Sequence, residues 1–339
     1  MSFKICLVGC GSHSRRVHGA SLQRYAREDP EVCLAGVCDL HLEAARAYAR
    51  DFGFQRAYND IDAMLAQERP DAVSVVLPPE LTCRVCIPLV EKGLPVFMEK
   101  PPSMTSTEFG KLMAAAERGH AVTQVAFNRR YTELLVRARE LLDKNMPPES
   151  VCEIDYEMTR FNRRDADFST TAIHALDAML FLARSPYREA RFSFREREDL
   201  GPGVADIFME GTFESGARLR LNVQPVAGVI LERVTVNALG QSLMLELPMW
   251  KAQSVGNLRY WRGDQLEVEL RSGGLESEAC LFEQSGFFAE NKAFFDAVRA
   301  GKRPSPGVNE AWQQVALMEA MRNRVPHLRL SESQPVAVG

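Results

Sequence analysis

The stretch VFMEKPPSMT, residues 96–105, carries an apolar run into Glu99 and Lys100 and then stops it with two prolines. A lysine amine can give or take a proton. Pro101 pushes the residue before it out of the helical region, and Pro102 removes a further donor and more freedom. A side chain whose stem is pre-ordered in this way suits catalysis. The ordinary lysine pKa of about 10.4 makes it a poor base at neutral pH. A cation close by and partial burial both favour the neutral amine. His174 is the second proton-carrying candidate. It lies in TTAIHALDAML, a helical run with Thr170 one turn before it and Asp177 three residues after it. Taken alone, a histidine in an apolar helix is more often a satisfied core group than a catalyst.

A second constellation points to phosphate. ICLVGCGSHSRRVH places Gly9, Gly11 and Ser14 directly after the first apolar run, as G-x-G-x-x-S. Gly9 permits a tight turn, and Gly11 removes a side chain where a pyrophosphate would approach. The helix that follows offers free N–H groups and a positive dipole end. Asp39 ends the second strand, where a carboxylate accepts from both adenosine ribose hydroxyls and repels a 2′-phosphate. Leu40 and His41 follow it with no adjacent arginine, which favours NAD over NADP. Asp39 also suits an N-cap for the next helix.

These residues need a frame. FKICLV, VCLAGVCD, DAVSVVLP, PVFMEK and AVTQVAF read as buried strands, with helical runs between them. Gly53 closes one helix, Asn59 is placed to cap the next, and Thr105 with Glu108 matches a capping box. Alternating units of this length predict a doubly wound parallel sheet. After about residue 150 the pattern changes to one helix and a series of alternating runs, among them VADIFMEGTF, ARLRLNVQPV, ERVTVNAL and SLMLELPM. That alternation predicts a mostly antiparallel sheet. Two late helices, at about 286–300 and 309–324, end the chain. The predicted class is therefore α/β, with a Rossmann domain over residues 1–125 and an α/β domain with a large open sheet over 126–339.

Composition narrows the function. The 41 basic and 45 acidic side chains leave a net charge of −4, with no basic stripe, which argues against nucleic acid. No run reaches the roughly 18 apolar residues of a membrane span. The opening segment lacks a signal peptide's length and cleavage site. The cysteines are scattered, as in reduced cytosolic proteins. Cys83 and Cys86 form a C-x-x-C inside a helical run without further ligands, so no metal is expected. The reading is a cytoplasmic protein.

The glycine loop, the VVLPP strand end, EKP at Glu99 to Pro101, FNRRY at Phe127 to Tyr131 and IHALD at Ile173 to Asp177 occur in the order found in a known family. The chain resembles the Gfo/Idh/MocA oxidoreductases, the group of glucose–fructose oxidoreductase and inositol dehydrogenase. The resemblance implies NAD(P) chemistry on a carbinol of a sugar, cyclitol or sugar acid, with Lys100 and His174 as proton-transfer groups. It implies a cis bond before Pro101 and cofactor contacts from Gly9, Gly11, Ser12, Ser14, Asp39, Pro78, Glu99, Lys100 and Arg129. It also implies a homodimer or homotetramer built on the open sheet. The family commonly has aspartate where this chain has Thr170. Asp165 and Asp167, in the preceding loop, are the nearest replacements. Thr82 stands near the position where a histidine is frequent. Arg129 and Arg130, with Arg160, Arg163 and Arg164, suit an anionic group on the substrate. The Thr170 departure keeps two other readings open: a dinucleotide-binding homologue without turnover, and a glycoside hydrolase or lyase that uses bound NAD transiently.

Overall fold

The computed structural model describes residues 2–249, 255–273 and 281–330. The chain divides into two compact units.

In the first unit, β1 (Phe3–Val8), β2 (Val32–Cys38), β3 (Arg56–Tyr58), β4 (Ala72–Val75), β5 (Val96–Glu99) and β6 (Thr123–Ala126) pair in the order 3-2-1-4-5-6. Every pairing is parallel. The apolar runs follow from this, because a strand in such a sheet is covered on both faces. The crossovers are α1 (Ala20–Glu28), α2 (Leu42–Phe52), α3 (Ile61–Glu68), α4 (Pro79–Glu91) and α5 (Ser106–Arg118). Gly53 ends α2 in the left-handed region, with φ 85°, as a glycine C-cap does.

Three local expectations are corrected. Asp60, not Asn59, caps α3, accepting from Ala63 N at 2.7 Å. Asn59 lies one residue too early to reach the first-turn amides. Asp39 does not cap α2, whose N-cap is His41. The α5 box is half built. Thr105 Oγ1 accepts from Glu108 N, but Ser103 Oγ, not the Glu108 carboxylate, accepts from Thr105 N.

The first unit comprises residues 1–128 and also 286–312, so the division at residue 125 is crossed a second time. The returning segment carries α9 (Phe287–Arg299). Its Phe294 and Phe295 are fully buried in the same cluster as Ile5, Leu7, Leu22, Tyr25 and Phe97. Tyr25 stacks on Phe295 at 5.6 Å and donates to Asp296 at 2.7 Å.

The second unit is a nine-stranded sheet among the described residues, in the order 14-13-12-11-7-10-9-8-15. Its strands are β7 (Val151–Phe161), β8 (Tyr187–Glu196), β9 (Ala205–Phe213), β10 (Arg218–Ala227), β11 (Leu231–Ala238), β12 (Gln241–Glu246), β13 (Asn257–Arg262), β14 (Gln265–Arg271) and β15 (His327–Arg329). Only β7–β10 is parallel. The sequence reading passed over β7, β8, β13 to β15 and the helix α6 (Glu133–Asn145). The helix α7 (Ser169–Ala183) packs on β7, and α6 packs on α7, β12 and β13. The opposite face carries the outward side chains of each strand. Asp155 and Arg220 pair there through two 2.6 Å bonds, and Arg233 meets Glu157 at 2.7 Å. The short α8 (Leu281–Gln284) and the late α10 (Trp312–Arg322) complete the helices of the described residues. No helix among them is long and apolar enough to cross a membrane.

Candidate functional site

The chain leaves β1 through Gly9, whose φ of 102° favours glycine. The following residues Gly11, Ser12 and His13 are exposed. Arg15 N donates to Gly11 O at 3.0 Å, closing the first helical turn. The helix widens into a π-helical segment, Ser14–Gly19, before continuing as α1. The first N–H groups of a helix have no intrahelical partner and attract anions. A side-chain carbon on Gly11 would meet no protein atom within 4 Å. The loop therefore has the open floor that a dinucleotide's pyrophosphate needs. Ser14 faces the other way. It is fully buried, and its hydroxyl bonds to that of Tyr48 at 2.8 Å.

Asp39 stands just beyond β2, held by the loop it is expected to serve. Its Oδ2 accepts from Cys10 N at 2.8 Å and its Oδ1 from His41 N at 3.0 Å. A carboxylate has about four lone-pair sites, so both oxygens retain capacity for ribose hydroxyls. Pro78 opens α4, with Pro79 in its first turn. Thr82 is buried, and its hydroxyl donates back to the Leu77 and Pro78 carbonyls at 3.4 and 3.2 Å.

Lys100 directly follows β5, and its bond to Pro101 is cis. Its backbone N–H donates to Glu99 Oε2 at 2.9 Å. Glu99 itself is only 4% exposed. Its Oε1 receives His18 Nε2 at 2.9 Å and His13 Nε2 at 3.1 Å. Burial pushes the Glu99 carboxyl up, but the neighbouring imidazoles outweigh it and hold the group well below the usual carboxylate range. The sequence reading missed both histidines, since neither carries a local signal. Among the described residues, His13, His18 and Glu99 form the one cluster of metal-ligand type, with ligand atoms within 4.8 Å of one another.

In the second unit, Thr170, His174 and Asp177 lie at i, i+4 and i+7 on α7 and so share one face. His174 is 7% exposed and Asp177 fully buried. Arg130 grips Asp177 with bonds of 2.8 and 2.7 Å, and Gln314 adds a third at 2.9 Å. Asp177 is thus a framework group. Asp167 accepts from Ser169 N at 3.0 Å at the start of α7, and Asp165 pairs with Arg163 at 2.7 Å. Both carboxylates of the preceding loop already have partners. Arg129 reaches the buried Glu232 at 2.8 Å, and Arg160 and Tyr156 bind the same carboxylate. Burial raises the Glu232 carboxyl, and the two guanidiniums outweigh that and bring it below its ordinary value. Glu232 had no sequence signal. It is an outlying polar residue in an apolar strand pattern.

Residues 3–127 match the oxidoreductase family with an NAD-binding Rossmann fold, Gfo/Idh/MocA. D-glucoside 3-dehydrogenase of Escherichia coli is 30% identical over 38% of this chain and 35% of its own length. Inositol 2-dehydrogenase of Salmonella typhimurium is 22% identical over 90% of this chain and 88% of its own. Among solved structures, levoglucosan dehydrogenase in complex with NADH and L-sorbose superposes with a TM-score of 0.81. It is 16% identical, and the match covers 98% of this chain and all of that one. At that identity the likeness speaks for the fold. Residues 3–127 thus match the NAD-binding Rossmann fold of the Gfo/Idh/MocA oxidoreductases, and the whole chain shares the fold of the solved dehydrogenase.

Proposed function

We propose that this protein moves a hydride between NAD and a carbinol carbon of a sugar, cyclitol or sugar acid, with Lys100 carrying the proton. The observation that supports this most is the placement of Lys100. It follows the C-terminal end of β5, the edge of a parallel sheet where ligands bind, and Glu99 ties its backbone to the glycine-loop helix. When bound, NAD supplies the hydride chemistry. The protein's part is to orient the carbinol and remove its O–H proton as the carbon is oxidised. In the reverse direction it returns that proton. Lys100 is assigned that task. His174 is assigned a hydrogen bond to the reacting hydroxyl, and Thr170, one turn away, a neutral hydrogen bond beside it.

Gly9, Gly11, Ser12 and Asp39 are assigned to the dinucleotide, with Pro78 shaping the neighbouring turn. The carboxylate at Asp39 supports NAD over NADP. The core-facing hydroxyl of Ser14 supports a packing role. The carboxylate partners of Arg129 and Arg130 support a framework role for both. The exposed face of the nine-stranded sheet is proposed to join two or four copies of the chain. Burial pushes the Cys6 and Cys10 thiols up to about 12, which keeps both unreactive.

The test is absorbance at the NADH band with NAD and a panel of sugars, cyclitols and sugar acids. Net NADH formation with one substrate class supports the proposal. A second reading is favoured by Thr170, because the nearby Asp165 and Asp167 are engaged elsewhere. In it, bound NAD is reduced and reoxidised within one catalytic cycle. Product formation without net NADH singles that reading out.

A further inference from the structure

We infer that His13, His18 and Glu99 are positioning residues that fix the Lys100 corner against the glycine loop, and that Glu99 acts on turnover through Lys100 without touching the cofactor. The inference rests on the reading of Lys100 as proton carrier.

The geometry starts at Asn291, a fully buried residue of α9. Its amide nitrogen lies 2.8 Å from Phe287 O and 3.1 Å from His18 Nδ1. An amide nitrogen donates and does not accept. One hydrogen serves the carbonyl and the other the imidazole. His18 Nδ1 is therefore the acceptor, and the ring proton sits on Nε2, where it donates to Glu99 Oε1 at 2.9 Å. His18 is completely buried, edge-on to Phe97 and Phe287 at 5.6 and 5.7 Å, so the ring is packed in this orientation.

The same arrangement argues against a metal in this cluster. A cation on His18 Nε2 needs the proton on Nδ1, which here faces an amide hydrogen. Protons, not a metal, hold the three side chains together.

Glu99 then joins segments far apart in sequence. One oxygen receives both histidines of the loop and its helix. The other receives the Lys100 N–H. A buried carboxylate that loses a donor is costly to keep, so these bonds stand or fall as a set. Moving the loop moves the corner. A misplacement of about 1 Å at a reacting group costs on the order of 10²-fold in rate, and this clamp guards against that.

The test compares wild type with Glu99→Gln, His18→Leu, His18→Gln, His13→Ala and Lys100→Met. Glu99→Gln puts an amide where one carboxylate oxygen stood and opposes a donor to a donor. The expected result is a fall in kcat of about 10²-fold, with NADH Kd and substrate KM each within about threefold of wild type. His18→Leu should match it. His18→Gln, which restores a donor near Nε2, should recover most of the loss. His13 is half-exposed, so His13→Ala should fold normally. It should also speed amide hydrogen exchange in the peptide spanning residues 99–103, 86 residues away in sequence. That readout needs neither substrate nor a folded Glu99 variant.

Unchanged exchange at 99–103 in His13→Ala overturns the inference. So does wild-type kcat in Glu99→Gln, or equal activity in the two His18 variants. A tenfold rise in NADH Kd at constant kcat in Glu99→Gln would instead place Glu99 on the cofactor. Activity retained by Lys100→Met removes the underlying reading. Loss there with full activity in Glu99→Gln removes this inference alone.

Discussion

The Cα of Gly9 faces the Val76 carbonyl so closely that a methyl group added to it would lie 2.1 Å from the oxygen. Two residues on, a methyl on Gly11 would meet no protein atom within 4 Å. The two glycines therefore serve different ends. Gly9→Ala should destabilise the fold by about 3 kcal/mol, from backbone strain and overpacking. Gly11→Val should leave stability within about 1 kcal/mol of wild type and raise the NADH Kd at least about tenfold. Urea unfolding and fluorescence titration measure the two effects. A Gly11→Val protein that binds NADH normally would show that no phosphate passes over that residue.

Lys100→Met should reduce kcat by about 10²- to 10⁴-fold, the usual contribution of a positioned proton carrier. NADH binding should persist, because the glycine loop and Asp39 are untouched. Single-turnover kinetics separate the chemical step from release. A variant with normal turnover would remove Lys100 from the reaction.

Asp177 accepts two bonds from Arg130 and one from Gln314 and is wholly buried. Asp177→Asn should therefore cost about 3–5 kcal/mol, since it leaves a buried guanidinium without its counter-charge. Glu140→Gln, which breaks an exposed pair with Arg137 on α6, should cost less than about 1 kcal/mol. Equal losses from the two substitutions would contradict this account of the second unit.

Glu99 and Glu232 both titrate below the ordinary carboxylate range in the folded protein. On acidification the unfolded chain takes up their protons near the ordinary value of about 4.3, while the folded chain still resists. Their contribution is therefore complete above that value and is lost as pH falls toward the folded values. Each adds a slope of up to about 1.4 kcal/mol per pH unit. Stability measured from about pH 6 down to about pH 3 should fall, and Glu232→Gln should flatten the fall by one proton's worth. An unaltered slope in that variant would count against the buried carboxylate.

The parallel sheet was readable because its strands are short apolar runs bounded by turn residues, and the glycine loop because its spacing is local. The lysine corner was readable for the same reason. The alternation in β7, with Ile154, Tyr156 and Met158 inward and Glu153, Asp155 and Glu157 outward, was also present in the sequence and was passed over. Other features had no local signal. His18 and Glu99 are 81 residues apart, and Arg129 and Glu232 are 103 apart. Topology alone brings them together. The bonds of Glu99 to His13 and His18 were hidden for that reason: its motif names the residue but not the direction of its side chain. The return of α9 to the first unit was hidden as well, because its phenylalanines suit any apolar core.

That return bears on how the protein is made. Gln124, in the last strand of the nucleotide-binding sheet, bonds to the Glu290 carbonyl 166 residues downstream. At about 5–20 residues per second, a ribosome finishes the sheet on the order of ten seconds before it delivers Phe294 and Phe295. During that interval the nascent half lacks the helix whose phenylalanines pack against Leu22 and Tyr25 in the folded chain. The half synthesised first thus waits for a segment that follows most of the second, and the surface around Tyr25 gains its cover only when α9 emerges.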